Sequence, residues 1–218
     1  MKKLFLLLSL IVVSFLASGC NQGNPVRADG RIYFRQEGRA YFRDTAWGMS
    51  QGSVIYLEGQ QPSFQDSWTL RFNSVFVYNL SARATYTFGD DIGLYRAIYT
   101  ITDAQDSPGQ SLMNHRSLRA ALIELYGEPT TSEQVESENS MAIGNRSLEG
   151  MAIAAGQLSL SDIWELNDTV INLQIRQSSS GNRAEVSIAY WDTGLLMTAL
   201  EGMLSDIEGQ QRRNASGL

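Results

Sequence analysis

Residues 48 to 52, Gly48-Met49-Ser50-Gln51-Gly52, match the G-x-S-x-G pattern in which a serine on a strand-to-helix turn attacks an acyl carbon. That chemistry needs an acid and then a histidine further along. Asp90 or Asp103 followed by His115, the single histidine, meets the order. The context does not meet it. "FRDTAW" before Gly48 is short and polar where a nucleophile elbow requires a buried apolar strand, and His115 falls in "SLMNHRSLRAAL", the expected first turn of a helix. Ser50 as the N-cap of a short helix explains the same residues with fewer demands. The expectation is therefore a cap at Ser50, an exposed His115 and no catalytic residue.

The remaining polar groups raise few other chemistries. Asp90-Asp91 reads as a turn, since no calcium-loop spacing follows. Glu133, Glu136 and Glu138 read as a solvated loop, and "SSSG" at 178 to 181 as a hairpin turn without the strand-to-helix context of a phosphate cradle. No metal site and no cofactor are expected. Arg71, Arg83 and Arg176 fall on the polar side of alternating runs, and Arg96 joins them. They either pair with the surplus acids or form a stripe that reads an anion or carboxylate. Trp47, Trp68, Trp164 and Trp191 serve core packing, or some of them line a groove for a partner or glycan.

Composition narrows the setting. The 218 residues carry 17 basic and 23 acidic side chains, a net charge of −6. The chain opens "MKKLFLLLSLIVVSFLASGC": two lysines, an apolar run from Leu4 to Leu16 too short to span a bilayer, then small residues up to Cys20. This resembles a bacterial lipoprotein signal peptide, with "LASGC" as its lipobox. The resemblance implies cleavage after residue 19 and acylation, including palmitate, of Cys20. Two or more acyl chains anchor stably where one binds only marginally. Lys2 and Lys3, the only lysines, leave with the leader, which holds no acid, so the mature charge falls to −8. That acidity argues against nucleic acid, and the missing lysines exclude Schiff-base chemistry. With Cys20 the only cysteine, there is no internal disulfide. Asn21 after Cys20 implies, by the sorting rule of such lipoproteins, the outer membrane facing the periplasm if the cell is Gram-negative.

The elements that must position these residues follow from periodicity. Residues 20 to 30 are polar and read as a tether, and "RIYFRQEGRAYFR" as a hairpin or pair of edge strands. A helix runs from Ser50 to Gly59. Strands follow at 68 to 78, with a register slip at Asn73-Ser74 that a bulge explains, at 82 to 88 and at 94 to 101. A second helix covers 117 to 126 and stops at Gly127-Glu128-Pro129. A long loop is expected over "TTSEQVESENSMAIGNRSLEG", then strands in "SDIWEL", "TVINLQIRQ" and "RAEVSIAY". A final helix carries Leu196, Leu200, Met203, Leu204 and Ile207 on one stripe. The fold class is α+β: a body over 31–210, made of two helix-plus-three-strand antiparallel repeats (31–105 and 106–210), helices on one sheet face, an N-terminal hairpin, a C-terminal helix and a frayed tail over 211–218.

"FRDTAWGMSQGSVIYLEG", "LYGEP" and "EGMAIAAGQLSLSDIWELNDTVINLQI" together resemble a group of uncharacterised bacterial lipoproteins whose folded part begins Trp-Gly-Met-Ser. The match covers roughly residues 41 to 190, and its motifs are short and structural. The helix start is also similar to the β-lactamase-inhibitor-protein and SmpA/OmlA lipoprotein modules. That likeness implies a helix packed on an antiparallel sheet, and a role in binding other proteins. Gly52 and Ser53 depart from the group, which carries charged helix formers there. The expectation is a lipid-anchored, non-enzymatic envelope protein that binds another envelope protein or supports an assembly; the alternative is a small ligand or glycan held in a cleft between the halves.

Overall fold

Runs of alternating apolar and polar residues within 69–101 and 158–192, with a slip at Asn73-Ser74 and a stretch at 94–101 apolar on both faces, build the sheet at the centre of the chain. A computed structural model describes residues 25–28, 31–34, 42–103 and 106–216. The leader, Cys20 and the second half of the expected N-terminal hairpin lie outside these. Two short strands, β1 (Pro25–Ala28) and β2 (Arg31–Phe34), pair antiparallel, so the strand pair begins inside the stretch read as a tether.

The main sheet has eight antiparallel strands: β3 (Phe64–Gln65), β4 (Thr69–Val77), β5 (Leu80–Gly89), β6 (Gly93–Ile101), β7 (Thr131–Glu136), β8 (Leu158–Leu166), β9 (Thr169–Gln177) and β10 (Ala184–Asp192). Their spatial order is β3-β4-β5-β6-β10-β9-β8-β7. Two three-strand meanders, β4-β5-β6 and β8-β9-β10, thus meet along β6 and β10, where Ser187 to Trp191 pair with Thr100 to Arg96. The bulge falls where the sequence slips: register shifts between Phe72 and Val75, leaving Asn73 and Ser74 exposed.

Four helices accompany the sheet: α1 (Gln51–Glu58), α2 (Pro108–Tyr126), α3 (Glu149–Ala154) and α4 (Thr193–Ser216). The fold is therefore α+β. α2 and α3 pack on β9 and β10, and one core joins Val54 of α1 and Leu118 and Leu122 of α2 with Leu70, Tyr86, Ala97, Trp164, Leu173 and Ile188 of the strands. At about 25 cal/mol per Å² of apolar surface, covering this face is the largest stabilising contribution in the molecule.

Ser50 caps α1. Its backbone is extended, its side-chain oxygen accepts the Ser53 N–H at 3.3 Å, and the helix ends at Gly59 in the left-handed region. The preceding Trp-Gly-Met segment is clamped to the sheet: Gly48 N–H donates to the Leu94 carbonyl and Leu94 N–H to the Met49 carbonyl, each at 2.8 Å. Gly93 makes this approach possible. At φ 69° it has left-handed geometry, and a Cβ there would collide with the backbone of Gly48. A second close approach seats α3 on the start of α2, where a Cβ on Gly150 would lie 2.7 Å from the Pro108 carbonyl oxygen.

Three elements differ from expectation. α2 starts nine residues earlier than the apolar spacing indicates, because Pro108 opens a helix as readily as it breaks one when it occupies the first turn. The expected long loop contains β7, a 3-10 turn at Arg146–Leu148 and α3. α4 runs through the stretch expected to fray, and most of its apolar stripe is not packed: Leu200, Met203, Leu204 and Ile207 are exposed, while Leu196 is half-buried.

Candidate interaction face

Cross-strand partners share a sheet face, so the register assigns every strand residue to the helix-covered face or to the open one. Arg71 pairs with Thr85, Thr85 with Ile98, Ile98 with Ala189 and Ala189 with Asn172, which makes one transverse row of the open face. Arg83, Thr100, Ser187, Gln174, Ser161 and Glu133 form the next row. Arg96 lies across from Thr87 and Trp191 in a third, and Arg176 across from Glu185 in a fourth. The four arginines singled out by the sequence all stand on the open face.

Their electrostatic situation is unlike that of the other arginines. Arg43, Arg116, Arg119, Arg146 and Arg183 each form an ion pair with a carboxylate. Among the described residues Arg71, Arg83, Arg96 and Arg176 form none within 4 Å, although Glu185 stands directly opposite Arg176. Pairing with the surplus acids, the first of the two readings, does not occur among the described residues. Arg71 is half-buried, its Nε lacks a hydrogen-bond partner, and its guanidinium lies 5.1 Å from the centre of the Phe64 ring. Arg71, Arg83 and Arg96 occupy β4, β5 and β6, while Glu133, Glu165 and Glu185 occupy β7, β8 and β10, with Arg176 among them on β9.

A trough of about 250 Å³ runs along the seam between β6 and β10. Ser187 and Ala189 form its floor, Thr100, Asn172 and Gln174 supply hydrogen-bonding groups, and Arg96 beside Trp191 closes one end. Trp191 is thus the tryptophan that lines the trough, and it is half-buried. Trp164 is fully buried and donates from Nε1 to the Gly127 carbonyl at 2.8 Å; Trp47 Nε1 donates to Thr169 Oγ1 at 2.9 Å. Trp68 is exposed at the start of β4.

On the covered side two polar centres escaped the sequence reading. In the first, Glu58 Oε1 accepts from Arg43 Nε at 2.7 Å and from the Tyr86 hydroxyl, while its Oε2 is buried without a partner. Burial and then the Glu58 charge raise the pKa of Tyr86 far above its ordinary value. Burial likewise pushes Tyr99 up to about 12, against the opposing charge of Arg43. Burial works against the Arg43 charge, and Glu58 with the two tyrosines more than offsets it, so its pKa is raised. Arg43 and Glu58 are fifteen residues apart, on a loop and a helix end, which no periodicity connects.

The second centre holds His115. It lies mid-way along α2, not in a first turn, and is 2 % exposed with neither ring nitrogen hydrogen-bonded. Burial lowers its pKa to about 4; Asp162 opposes this, and Arg119 and Arg116 reinforce it. Asp162, a carboxylate on the core side of β8, accepts from Arg119 Nε at 3.1 Å and from the Ser132 hydroxyl. With both His115 nitrogens unbonded, no hydrogen bond links His115 to Ser50, whose Oγ lies 2.9 Å from Ser53 Oγ. The Ser50 hydroxyl is placed as a helix cap.

Among the described residues no cluster of three or more histidine, cysteine, aspartate or glutamate side chains is arranged to hold a metal, and no helix is long and apolar enough to cross a membrane. No family model matches the chain, and no curated protein does. A solved structure of a DUF4309 family protein, YjgB, from Bacillus subtilis subsp. subtilis str. 168 is similar at 8 % identity. The likeness covers 66 % of this chain and 78 % of that one, at a TM-score of 0.37, too loose to define a shared fold.

Proposed function

We propose that this chain is a non-enzymatic, lipid-anchored envelope protein that presents the open face of its sheet to another protein, in a binding or assembly-support role. The observation that carries the reading is the contrast among arginines: among the described residues, five in the body are ion-paired, and the four on the open face are not. An unpaired guanidinium offers five donors in a rigid fork suited to a carboxylate, so four on one face suit an acidic partner. Attachment is through acylated Cys20, outside the cytoplasm, and in a Gram-negative cell at the outer membrane facing the periplasm. The body is read as two similar halves, α1 with β4-β5-β6 and α2 with β8-β9-β10, joined along β6 and β10.

A second reading is favoured by the seam trough. Trp191 beside Arg96, with Asn172, Gln174 and Thr100 along the walls, is a stacking ring with amides and hydroxyls, the chemistry that takes a glycan or other small polar ligand.

Two measurements test these readings. Intact mass of the membrane-extracted protein, against Cys20→Ala, is expected to show cleavage before Cys20 and added acyl chains. Crosslinked capture from the native membrane is expected to lose its partner when Arg71, Arg83, Arg96 and Arg176 are all changed to alanine. A free, unacylated product would remove the anchor. Capture that survives the arginine changes but is competed by soluble glycan would move the reading to the trough.

A further inference from the structure

The seam trough is continued by a second hollow. Arg176, which lines the trough, also lines a space of about 360 Å³ at the neighbouring end of β7, β8 and β9, with Ser137, Ser159 and Val135 along its sides. Arg176 stands opposite Glu185, and Ser159 opposite Val135, in the row one step beyond the Leu160–Ile175 pair. The two hollows therefore meet at Arg176 and make one path over the open face, from Trp191 on β10 to Val135 on β7. From the Trp191 row to the Glu185 row is about 20 Å along the strands, and from β10 to β7 is three strand spacings, about 15 Å, so the path is about 25 Å long. That length fits several units of a chain molecule and exceeds a single small ligand.

The chemistry along the path identifies what it fits. Arg96 lies opposite Trp191 at one end, and Arg176 stands where the hollows meet. Their Cα atoms are about 20 Å apart along the strands and about 10 Å across them, so the two guanidiniums do not converge on one carboxylate. Neither has a carboxylate within 4 Å among the described residues. Between them, Thr100, Ser187, Asn172 and Gln174 offer hydroxyls and amides, and Asn172 Oδ1 accepts from Ser161 Oγ at 2.9 Å, which orients its amide. Glu185 faces Arg176, and Glu136 lines the far hollow. Acids at those two points repel a uniformly charged polyanion and accommodate a chain whose acids are spaced. A peptide is the poorer match. On a sheet face the backbone groups of interior strands are engaged in the ladders, and an extended peptide draws its affinity from pairing with an edge.

Resting on the trough reading above, we infer that this path binds an acidic glycan: a chain of sugars carrying carboxylates at intervals, whether as uronic acids or as acid ethers on amino sugars. One sugar ring lies against Trp191 with its carboxylate on Arg96. The hydroxyls of the next units bond with Asn172, Gln174 and Glu185, and a later carboxylate meets Arg176 beside the Ser159 and Ser137 hydroxyls.

Calorimetric titration of the full chain in detergent tests this, with oligogalacturonate and an oligosaccharide containing N-acetylmuramic acid as separate probes. At least one is expected to bind, which names the source of the carboxylate, and its methyl ester is expected to bind about ten-fold more weakly. Arg96→Ala and Arg176→Ala are each expected to weaken the acid about ten-fold and the ester little, a selectivity that misfolding does not mimic. Trp191→Ala is expected to weaken acid and ester alike, and Trp191→Phe to keep both. Arg146→Ala, which removes the same charge from an ion pair outside the path, is expected to change neither. No binding by either acidic probe, equal binding of the ester, or equal losses from Arg146→Ala would each overturn the inference. So would a glutamate-rich peptide that binds as tightly with the same arginine dependence. If the ester binds as well as the acid and both need Trp191, the acid requirement falls and the trough reading stands. If neither probe binds while arginine-dependent capture of a protein persists, both fall and the open face remains a protein surface.

Discussion

The two faces of the sheet are made by the same strands and treated in opposite ways. On the covered face the charged groups have partners, Asp162 in Arg119 and Ser132 and Glu58 in Arg43 and Tyr86, although Glu58 Oε2 and both nitrogens of the neutral His115 are buried without one. On the open face, four arginines have no carboxylate partner among the described residues, although acids stand elsewhere on the same face. Burying a charge without a partner is strongly unfavourable, so the covered face pairs its charges and holds His115 uncharged at ordinary pH. No such compulsion acts on the open face. Residues there are under weaker folding constraint, and the proposed recognition role draws on that freedom.

Substitutions sharpen that contrast, and the largest effect belongs to the covered face. Trp164→Ala removes a fully buried ring and its hydrogen bond to Gly127, and is expected to lower unfolding free energy by about 3–5 kcal/mol in a denaturant titration. Next is acid. His115 titrates near pH 4 when folded and near its ordinary 6.5 when unfolded, so between those values the unfolded chain binds the proton first. Its contribution is fully present above pH 6.5 and is lost as pH falls to 4, a loss of about 3 kcal/mol. Unfolding midpoints measured across this window are expected to fall more for wild type than for His115→Gln.

Glu58→Gln comes third. It leaves Arg43 with a neutral acceptor in place of its buried carboxylate, and a loss of about 2 kcal/mol is expected in the same titration. The smallest effect belongs to the open face: Arg83→Ala or Arg96→Ala is expected to stay within about 0.5 kcal/mol of wild type. A large loss there would erase the distinction between the faces.

Legibility in the sequence follows the same division. Ala82, Ala84, Tyr86 and Phe88 alternate with Arg83, Thr85 and Thr87, and the strand, its buried side and its open side are all as the pattern indicates. The Ser50 cap and the Asn73-Ser74 bulge were equally readable, since each is a local event with a local signal. β7 was not readable. "TSEQVE" is an edge strand, exposed along nearly its whole length, and a strand that buries neither side carries no alternation. The burial of His115 was hidden by Pro108-Gly109, which resembles a break and in fact opens α2. Arg43–Glu58 and Arg119–Asp162 are long-range pairs that require the fold before they exist. As for the candidate site, the sequence placed all four arginines on one side of the strands. It did not show which of them had partners, because pairing depends on what lies across neighbouring strands.

The most direct test of the open face as a recognition surface compares the full chain with its Arg71, Arg83, Arg96 and Arg176 to alanine variant in two parallel measurements. These are the denaturant midpoint and crosslinked capture of another envelope protein. The expected result is an unchanged midpoint with capture lost. Capture that persists at wild-type level, or a midpoint that collapses with the arginines, would contradict the account and return these side chains to the structure of the fold.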